Sequence, residues 1–437
     1  MHGRIEDRRS IYGRTEPHPN AFGDPLVRYA NRYPRRMTAF AILIAAPGIF
    51  FAYQSSQVKL YLDFRVYMMG ASHLTDPRLY LDRTTYILHF PFTYPPPAAL
   101  FFWPLSVLPF HVATFVWTTA MLISLAAIIR VVLRLARQDA SSRGLWALTS
   151  LGVAGALYLE PISQNLHFGQ VNLVLGAMTL YDVVDRPSRR LPRGLLLGVA
   201  TAVKLVPGVF ILFLLARRQY RAALVSALTV VILNVLTLMV NTHASMVYWR
   251  TDAINPRHMG GTVYNSNQSL RGALQRLLHH LVNHGLLTVV EVLMLVVGLY
   301  LAVAIASKRS ELAAITAVGV TGDLVSPISW SHHLVWFLPL IVWLLLAHDR
   351  PRSGPWWAAA LALACWFNVI WWPPDIHAEP LHWNWWQSLV GNTYFFAMAL
   401  FLVALVVSRP GSVDDHTPST ASSGTITRYA TRRPRGS

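Results

Sequence analysis

Long apolar runs without charge recur through this chain, and they constrain its fold more than any other feature. Residues 37–53 and 222–240, for example, contain no Asp, Glu, Lys or Arg. A helix of about 20 apolar residues crosses a bilayer's hydrocarbon core. In lipid the backbone must satisfy its own hydrogen bonds, which leaves helices as the natural solution for such runs. Charged residues make up only 13% of the chain and hydrophobic ones 54%, against about 25% charged in soluble domains. Many of the 15 Trp fall near the ends of apolar runs, where amphipathic rings suit the membrane interface. The single cysteine, Cys365, lies inside an apolar segment, so neither a disulfide framework nor a thiolate metal site can be built. The expected class is an all-α, polytopic membrane helical bundle.

The formal charge of +17 does not make this a nucleic-acid-binding protein. The arginines cluster in short segments between apolar runs and in the two tails, as in the cytoplasmic loops of membrane proteins. Residues 1–36 read as a retained basic cytoplasmic tail. The segment is too long and too acid-containing for a signal peptide's charged region. Residues 409–437, rich in Ser, Thr, Gly and Arg, read as a disordered cytoplasmic tail. The embedded domain is then 37–408, with outer loops 54–109, 242–284, 326–333 and 373–390.

Basic loops orient the spans. Crossings are expected at 37–53, 111–132, 145–159, 171–184, 222–240, 286–306, 312–325, 334–347, 356–372 and 393–407, about ten in all. A polar loop is expected at 160–167, and the proline-broken stretch 92–109 is expected to lie in the interface. The run 195–216 is different. Arg193 precedes it, Arg217, Arg218 and Arg221 follow it, and Lys204 and Pro207 sit in its middle. A lysine at a bilayer centre costs about 2.5–3.5 kcal/mol on insertion scales, and proline removes a helix donor. A helical hairpin with both ends cytoplasmic removes both problems. Its irregular tip must then be buried in protein or line a polar cavity.

The polar groups of the outer loops include Asp63, Asp76, Asp82, Glu160, Asp252, Asp375 and Glu379, with Arg257, His258, Arg271, His167, His332 and His333. A carboxylate there could accept a proton, and cations or imidazoles could meet a phosphate. Asp63 opens the first outer loop, with Arg65 beside it. From spacing alone it could equally be a solvated acid paired with that arginine.

Several motifs occur in a fixed order. They are Asp63-Phe64-Arg65-Val66-Tyr67, Phe92-Thr93-Tyr94-Pro95-Pro96 and Phe168-Gly169-Gln170-Val171-Asn172. Lys204 to Pro207 follows with its trailing arginines, then Asn265-Ser266-Asn267-Gln268-Ser269-Leu270-Arg271-Gly272. Last comes Ser326-Pro327-Ile328-Ser329-Trp330-Ser331-His332-His333. Together they resemble the integral-membrane glycosyltransferases of family 87 over about residues 60–335. The resemblance implies a GT-C fold in the cell membrane with an extracytoplasmic active site. It implies a polyprenyl-phosphate sugar donor, typically mannose, and a mannolipid acceptor such as a phosphatidylinositol mannoside or lipomannan. It implies an inverting transfer that makes an α-1,2 linkage, with no metal and no separate cofactor.

By position within the motifs, Asp63 is implied as the general base. His332, His333, Arg271 and Lys204 are candidates for the donor phosphate. Arg65, Tyr67, Tyr94, His167, Gln170, Asn172, Asn267 and Gln268 are candidates for sugar or acceptor. Two alternatives stay open: the same fold transferring arabinofuranose, and a lipid transporter or flippase without chemistry. The last expects internal symmetry and charges deep in several spans. No repeat relates the halves, and Lys204 and Asp323 are the main deep charges.

Overall fold

The structure is a computed structural model. It describes residues 23–57, 61–81, 89–184, 190–253, 261–278, 283–307, 310–374 and 383–407. Both expected tails, apart from 23–36, lie outside these residues, as do Asp82, Arg257, His258, Asp375 and Glu379.

Among the described residues every regular element is helical. In chain order the helices are α1 Gly23–Arg32, α2 Pro34–Gln57, α3 Leu62–Ser72, α4 Pro96–Ser106, α5 Phe110–Ala136, α6 Ser142–Ala156, α7 Glu160–Phe168, α8 Asn172–Val183, α9 Leu195–Val203 and α10 Val209–Ala216. Then come α11 Tyr220–Val240, α12 Thr242–Val247, α13 Leu270–Leu277, α14 His284–Tyr300, α15 Glu311–Val325, α16 Phe337–Leu346, α17 Gly354–Trp366, α18 Trp385–Gly391 and α19 Thr393–Val407. Side-chain caps set several starts. Ser141, Ser269 and Ser310 each accept an N–H from the first turn of α6, α13 and α15, satisfying donors that have no intrahelical partner.

Four helices are long and apolar enough to cross a membrane: Pro34–Ser56, Phe110–Ala136, Tyr220–Val240 and Gly285–Ala304. The count rises to six if two bent pairs, α6 with α7 (78°) and α18 with α19 (70°), are each one span. This is fewer than the expected ten. The physical reason is length. At 1.5 Å per residue, α8, α16 and α17, of 12, 10 and 13 residues, fall well short of a core about 30 Å thick. Helix α15 is buried from Leu312 to Leu324. It is mostly apolar on every face because protein surrounds it, with Thr316, Thr321 and Asp323 as buried exceptions. By contrast α11 exposes Leu224, Leu228, Val231, Ile232, Val235 and Met239, an apolar face of the kind that suits lipid.

One other expectation is revised. Residues 160–167 form helix α7 rather than a loop. Pro161 suits a helix first turn, and Gly169 ends the helix in the left-handed region at φ 69°. The stretch 92–109 yields α4, which packs on α3 and buries Pro96, Pro97, Ala98, Ala99 and Phe102.

The run 195–216 breaks at Lys204, which is extended (φ −149°, ψ 128°). A Cβ added at Gly194, just before α9, would meet the Ala222 carbonyl and Ser226 of α11. Helix α10 ends at Ala216, and α11 begins at Tyr220. Both ends of the broken run therefore lie at the start of α11, and Lys204 stands at the far tip.

Candidate active site

Asp63 lies in the first turn of α3, where the positive end of the helix dipole favours a carboxylate. An aromatic floor holds this turn in place. Phe64 stacks on Trp117 (5.9 Å between centroids) and meets Phe102 edge-on (6.3 Å). Gly169 is pressed against the same turn. A Cβ there would come within 2.7 Å of Tyr61 and 2.8 Å of Phe64, and its positive φ disfavours any side chain. Trp117 Nε1 donates to the Gly169 carbonyl at 2.8 Å. The αL turn thus delivers Gln170 to Asp63, and the Gln170 amide hydrogen-bonds the carboxylate.

From Gln170 the network spreads. The Tyr67 hydroxyl donates to Gln170 Oε1 at 2.8 Å and lies 3.0 Å from the Tyr94 hydroxyl. Gln170 Nε2 reaches the Tyr94 hydroxyl (3.3 Å) and His332 Nε2 (3.5 Å). Asn172 Nδ2 donates to the His332 carbonyl at 3.1 Å, as does Asn165 Nδ2 at 2.8 Å. Lys204 Nζ donates to Asn172 Oδ1 at 2.8 Å and lies 3.1 Å from His333 Nε2. It also stands 5.7 Å from the centre of the Tyr94 ring. Five separate pieces of chain meet here: the start of α3, the loop before α4, the α7–α8 junction, the tip between α9 and α10, and the turn 331–333.

The electrostatics follow from burial. Desolvation raises the Asp63 carboxyl to about 6, although the Gln170 hydrogen bond and the Lys204 charge pull the other way. Asp63 remains half-buried, so it keeps a face a substrate could touch. Burial, reinforced by the Lys204 charge, holds both His332 and His333 below the usual imidazole range. His333 hydrogen-bonds the Ile328 carbonyl, so its Nδ1 carries the proton and Nε2 accepts from Lys204. The histidines are therefore neutral members of the cluster, and its cation is Lys204.

The remaining candidates sit elsewhere. Arg65 is two residues from Asp63 on a helix, a spacing that faces the two apart, and its guanidinium lies 4.3 Å from the Phe110 ring centre. His167 Nδ1 is 3.0 Å from Ser55 Oγ, and its ring stacks on Phe51. Arg271 is gripped by both carboxylate oxygens of Glu291, each contact at 2.8 Å, so its charge is already met inside the protein.

Asn267 and Gln268 brace the backbone around them. Asn267 donates to the Thr262 and Pro327 carbonyls and accepts from the Ser269 and Ser329 amides. Gln268 donates to the Asn265 and Gly391 carbonyls and accepts from the Phe395 amide. With these bonds the donor capacity of both amides is used inside the protein.

Three groups have structural places that the sequence did not assign, although Glu160 stood among the outer-loop acids and Asp323 among the deep charges. Arg276, fully buried, bonds Asn392 Oδ1 and the carbonyls of Tyr264 and Asn267; nothing in the sequence marks it. Glu160 is buried, and its Oε1 accepts from Ser331 (2.6 Å) and Trp371 (3.1 Å). It clamps the turn carrying His332 and His333, and is too enclosed to be a base for an acceptor. Asp323 lines the same cavity as Lys204, and its signal was a lone acid in an apolar run.

An ionisable carboxylate beside a lysine ammonium, both fixed by neutral amides and hydroxyls, can accept a proton on one side and stabilise an anion on the other. The family model for glycosyltransferase family 87 matches residues 92–327. The chain is 34% identical over 362 residues to a Mycobacterium tuberculosis protein named polyprenol-phosphate-mannose-dependent alpha-(1-2)-phosphatidylinositol mannoside mannosyltransferase. The match covers 78% of this chain and 84% of that protein. It is 33% identical over 385 residues to a Mycolicibacterium smegmatis protein of the same name, covering 80% and 85%. A second Mycolicibacterium smegmatis relative, named for phosphatidylinositol pentamannoside, is 32% identical over 370 residues and covers 80% and 86%. No solved structure shows significant similarity to the chain.

Proposed function

The chain belongs to glycosyltransferase family 87, and from that membership we propose that it transfers mannose from a polyprenyl-phosphate donor to a phosphatidylinositol mannoside or related mannolipid. The names of the relatives support the donor and the acceptor class. The observation that carries the reading is that Asp63 and Lys204 stand in one hydrogen-bonded cluster, linked through Gln170 and Asn172.

In the proposed reaction the acceptor 2-hydroxyl attacks the anomeric carbon as Asp63 takes its proton. The bond from that carbon to the phosphate oxygen breaks on the opposite face. A β-mannosyl phosphate therefore gives an α-1,2 linkage in a single displacement. Negative charge builds on the departing polyprenyl phosphate, and Lys204 meets it. His333 and Asn172 fix the ammonium, while Tyr67, Tyr94 and Gln170 fix the base. The leaving group is a lipid monophosphate, so one lysine cation supplies the charge that a nucleotide diphosphate would draw from a divalent metal. The site would face the extracytoplasmic side, with both tails and both ends of the α9–α10 hairpin in the cytoplasm.

Purified protein in detergent or nanodiscs, given polyprenyl-phosphate mannose and a mannolipid, is expected to form an α-1,2-mannoside. Polyprenyl-phosphate arabinofuranose is expected to be a poor donor, and the opposite preference would identify an arabinofuranosyltransferase. The same assay has a pH signature. A base works only when ionised, and the Asp63 carboxyl is raised to about 6. The rate should fall tenfold per unit below that pH, and decline again at high pH as the Lys204 ammonium, which burial lowers to about 8, loses its proton. A profile flat down to pH 4.5 would remove Asp63 as the base. Sidedness has its own test. Cysteines replacing Arg193 and Arg218, in a Cys365→Ser background, should both resist an impermeant thiol reagent added outside, and labelling of either defeats the hairpin.

A further inference from the structure

Next to Lys204 lies a small cavity of about 40 Å³ that Asp63 does not line; its polar wall is Asn172, Thr179, Lys204, Asp323, Ser329 and His333. Two side chains on it carry atoms without a partner. Asp323, 3% exposed, has an unpaired Oδ2, and Thr179, 1% exposed, has an unpaired Oγ1. The Ser329 hydroxyl cannot donate to either of them, because its proton goes to the Asp323 backbone carbonyl at 2.6 Å.

An unpartnered carboxylate oxygen in a helical core is costly, and Asn or Leu would fill this position at lower cost. Such a violation of polar satisfaction is expected where a site needs it. The cavity is roomy enough for a water, which needs roughly 10–15 Å³ of such space and two to four polar partners. Asp323 Oδ2, Thr179 Oγ1 and Lys204 Nζ supply three. Lys204 has three N–H donors on a flexible four-carbon stem, and Asn172 and His333 engage two of them.

We propose that Asp323 is a positioning residue for the transfer reaction: through a water shared with Thr179 in this cavity, its carboxylate holds the Lys204 ammonium where the leaving phosphate forms. This rests on the role of Lys204 given above. Without Asp323 the lysine stem is tethered only by neutral groups on this side, and the ammonium drifts from the phosphate. The proposed role concerns the ammonium alone, so acceptor binding is expected to hold.

The test uses the full chain in nanodiscs with polyprenyl-phosphate mannose and a mannolipid. Asp323→Asn should lower kcat roughly 10–100-fold, the loss that misplacing a group by up to about 1 Å produces. The acceptor KM should hold. Tm should hold or rise, because the substitution keeps the size while removing an acid with an unpaired oxygen from the core; a merely structural acid would instead lose Tm and rate together. Thr179→Val should give a smaller loss in the same direction. The double variant Asp323→Asn with Lys204→Met should be no slower than Lys204→Met alone, since both act through one group. Full activity in Asp323→Asn beside an impaired Lys204→Met overturns this inference and leaves the parent reading standing, and multiplying losses in the double variant do the same. A fully active Lys204→Met, or wild-type protein that transfers no mannose, overturns the parent reading and this inference with it.

Discussion

Asp63→Asn is expected to abolish mannosyl transfer and leave the protein folded. General-base catalysis is worth about 10²–10⁴-fold, and asparagine keeps the size and hydrogen-bonding reach while losing the ability to take the acceptor proton. Stability should not fall. A carboxyl raised to about 6 from an unfolded value near 4 binds more protons folded than unfolded between those two values. Stability therefore drops as pH rises through that window, and the ionised acid costs stability at pH 7. The neutral variant avoids this cost. Thermal melts at pH 7 and single-turnover rates with saturating donor check both halves. A residual rate within about threefold of wild type, where the expectation is at least about 10²-fold, removes Asp63 from the mechanism. Asp63→Glu is the finer probe: it shifts the carboxylate by about one methylene, and near-attack geometry tolerates little displacement.

Lys204→Met should be nearly as severe. Removing one group that meets developing charge costs about 10²–10³-fold in kcat, and methionine keeps most of the aliphatic stem. The loss should be largest with donors whose leaving phosphate is the poorer leaving group, because these build more charge at the transition state. Some stability will be lost as well. Asn172 Oδ1 and His333 Nε2 lose their donor, and each buried orphan costs about 1–3 kcal/mol. Lys204→Arg separates charge from shape: the planar guanidinium keeps the charge but presents a different donor geometry. A rate within threefold of wild type for the methionine variant, against the expected 10²-fold or greater loss, means the phosphate is held by another group.

How far the sequence alone could go is clearest at particular residues. Charge-free apolar runs made the membrane class and the helical fold legible, because periodicity and desolvation cost are local properties of a segment. The break at Lys204 was legible for the same reason: a lysine and a proline in one apolar run are each incompatible with a straight span. The family was legible because its motifs keep their order along the chain. The number of long spans was not, since a buried apolar helix such as α15 has the composition of a span without its length.

Partnership was not legible either. Arg271 and Gln268 looked like free polar groups of an outer loop, and only tertiary contacts engage them, with Glu291 and with Asn265, Gly391 and Phe395. Asn172 and His333 stand 32 and 129 residues from Lys204 in the chain, and Gln170 stands 103 from Tyr67. The sequence by itself determined the membrane class, where one apolar run must break, and which residue types could do chemistry. Only the tertiary structure decided which of those residues meet, which are consumed as braces, and that the cluster's cation is a lysine with two neutral histidines. The reason is physical: hydrophobicity is carried by each segment alone, whereas the satisfaction of a buried hydrogen bond or charge depends on a partner that the fold must bring from elsewhere.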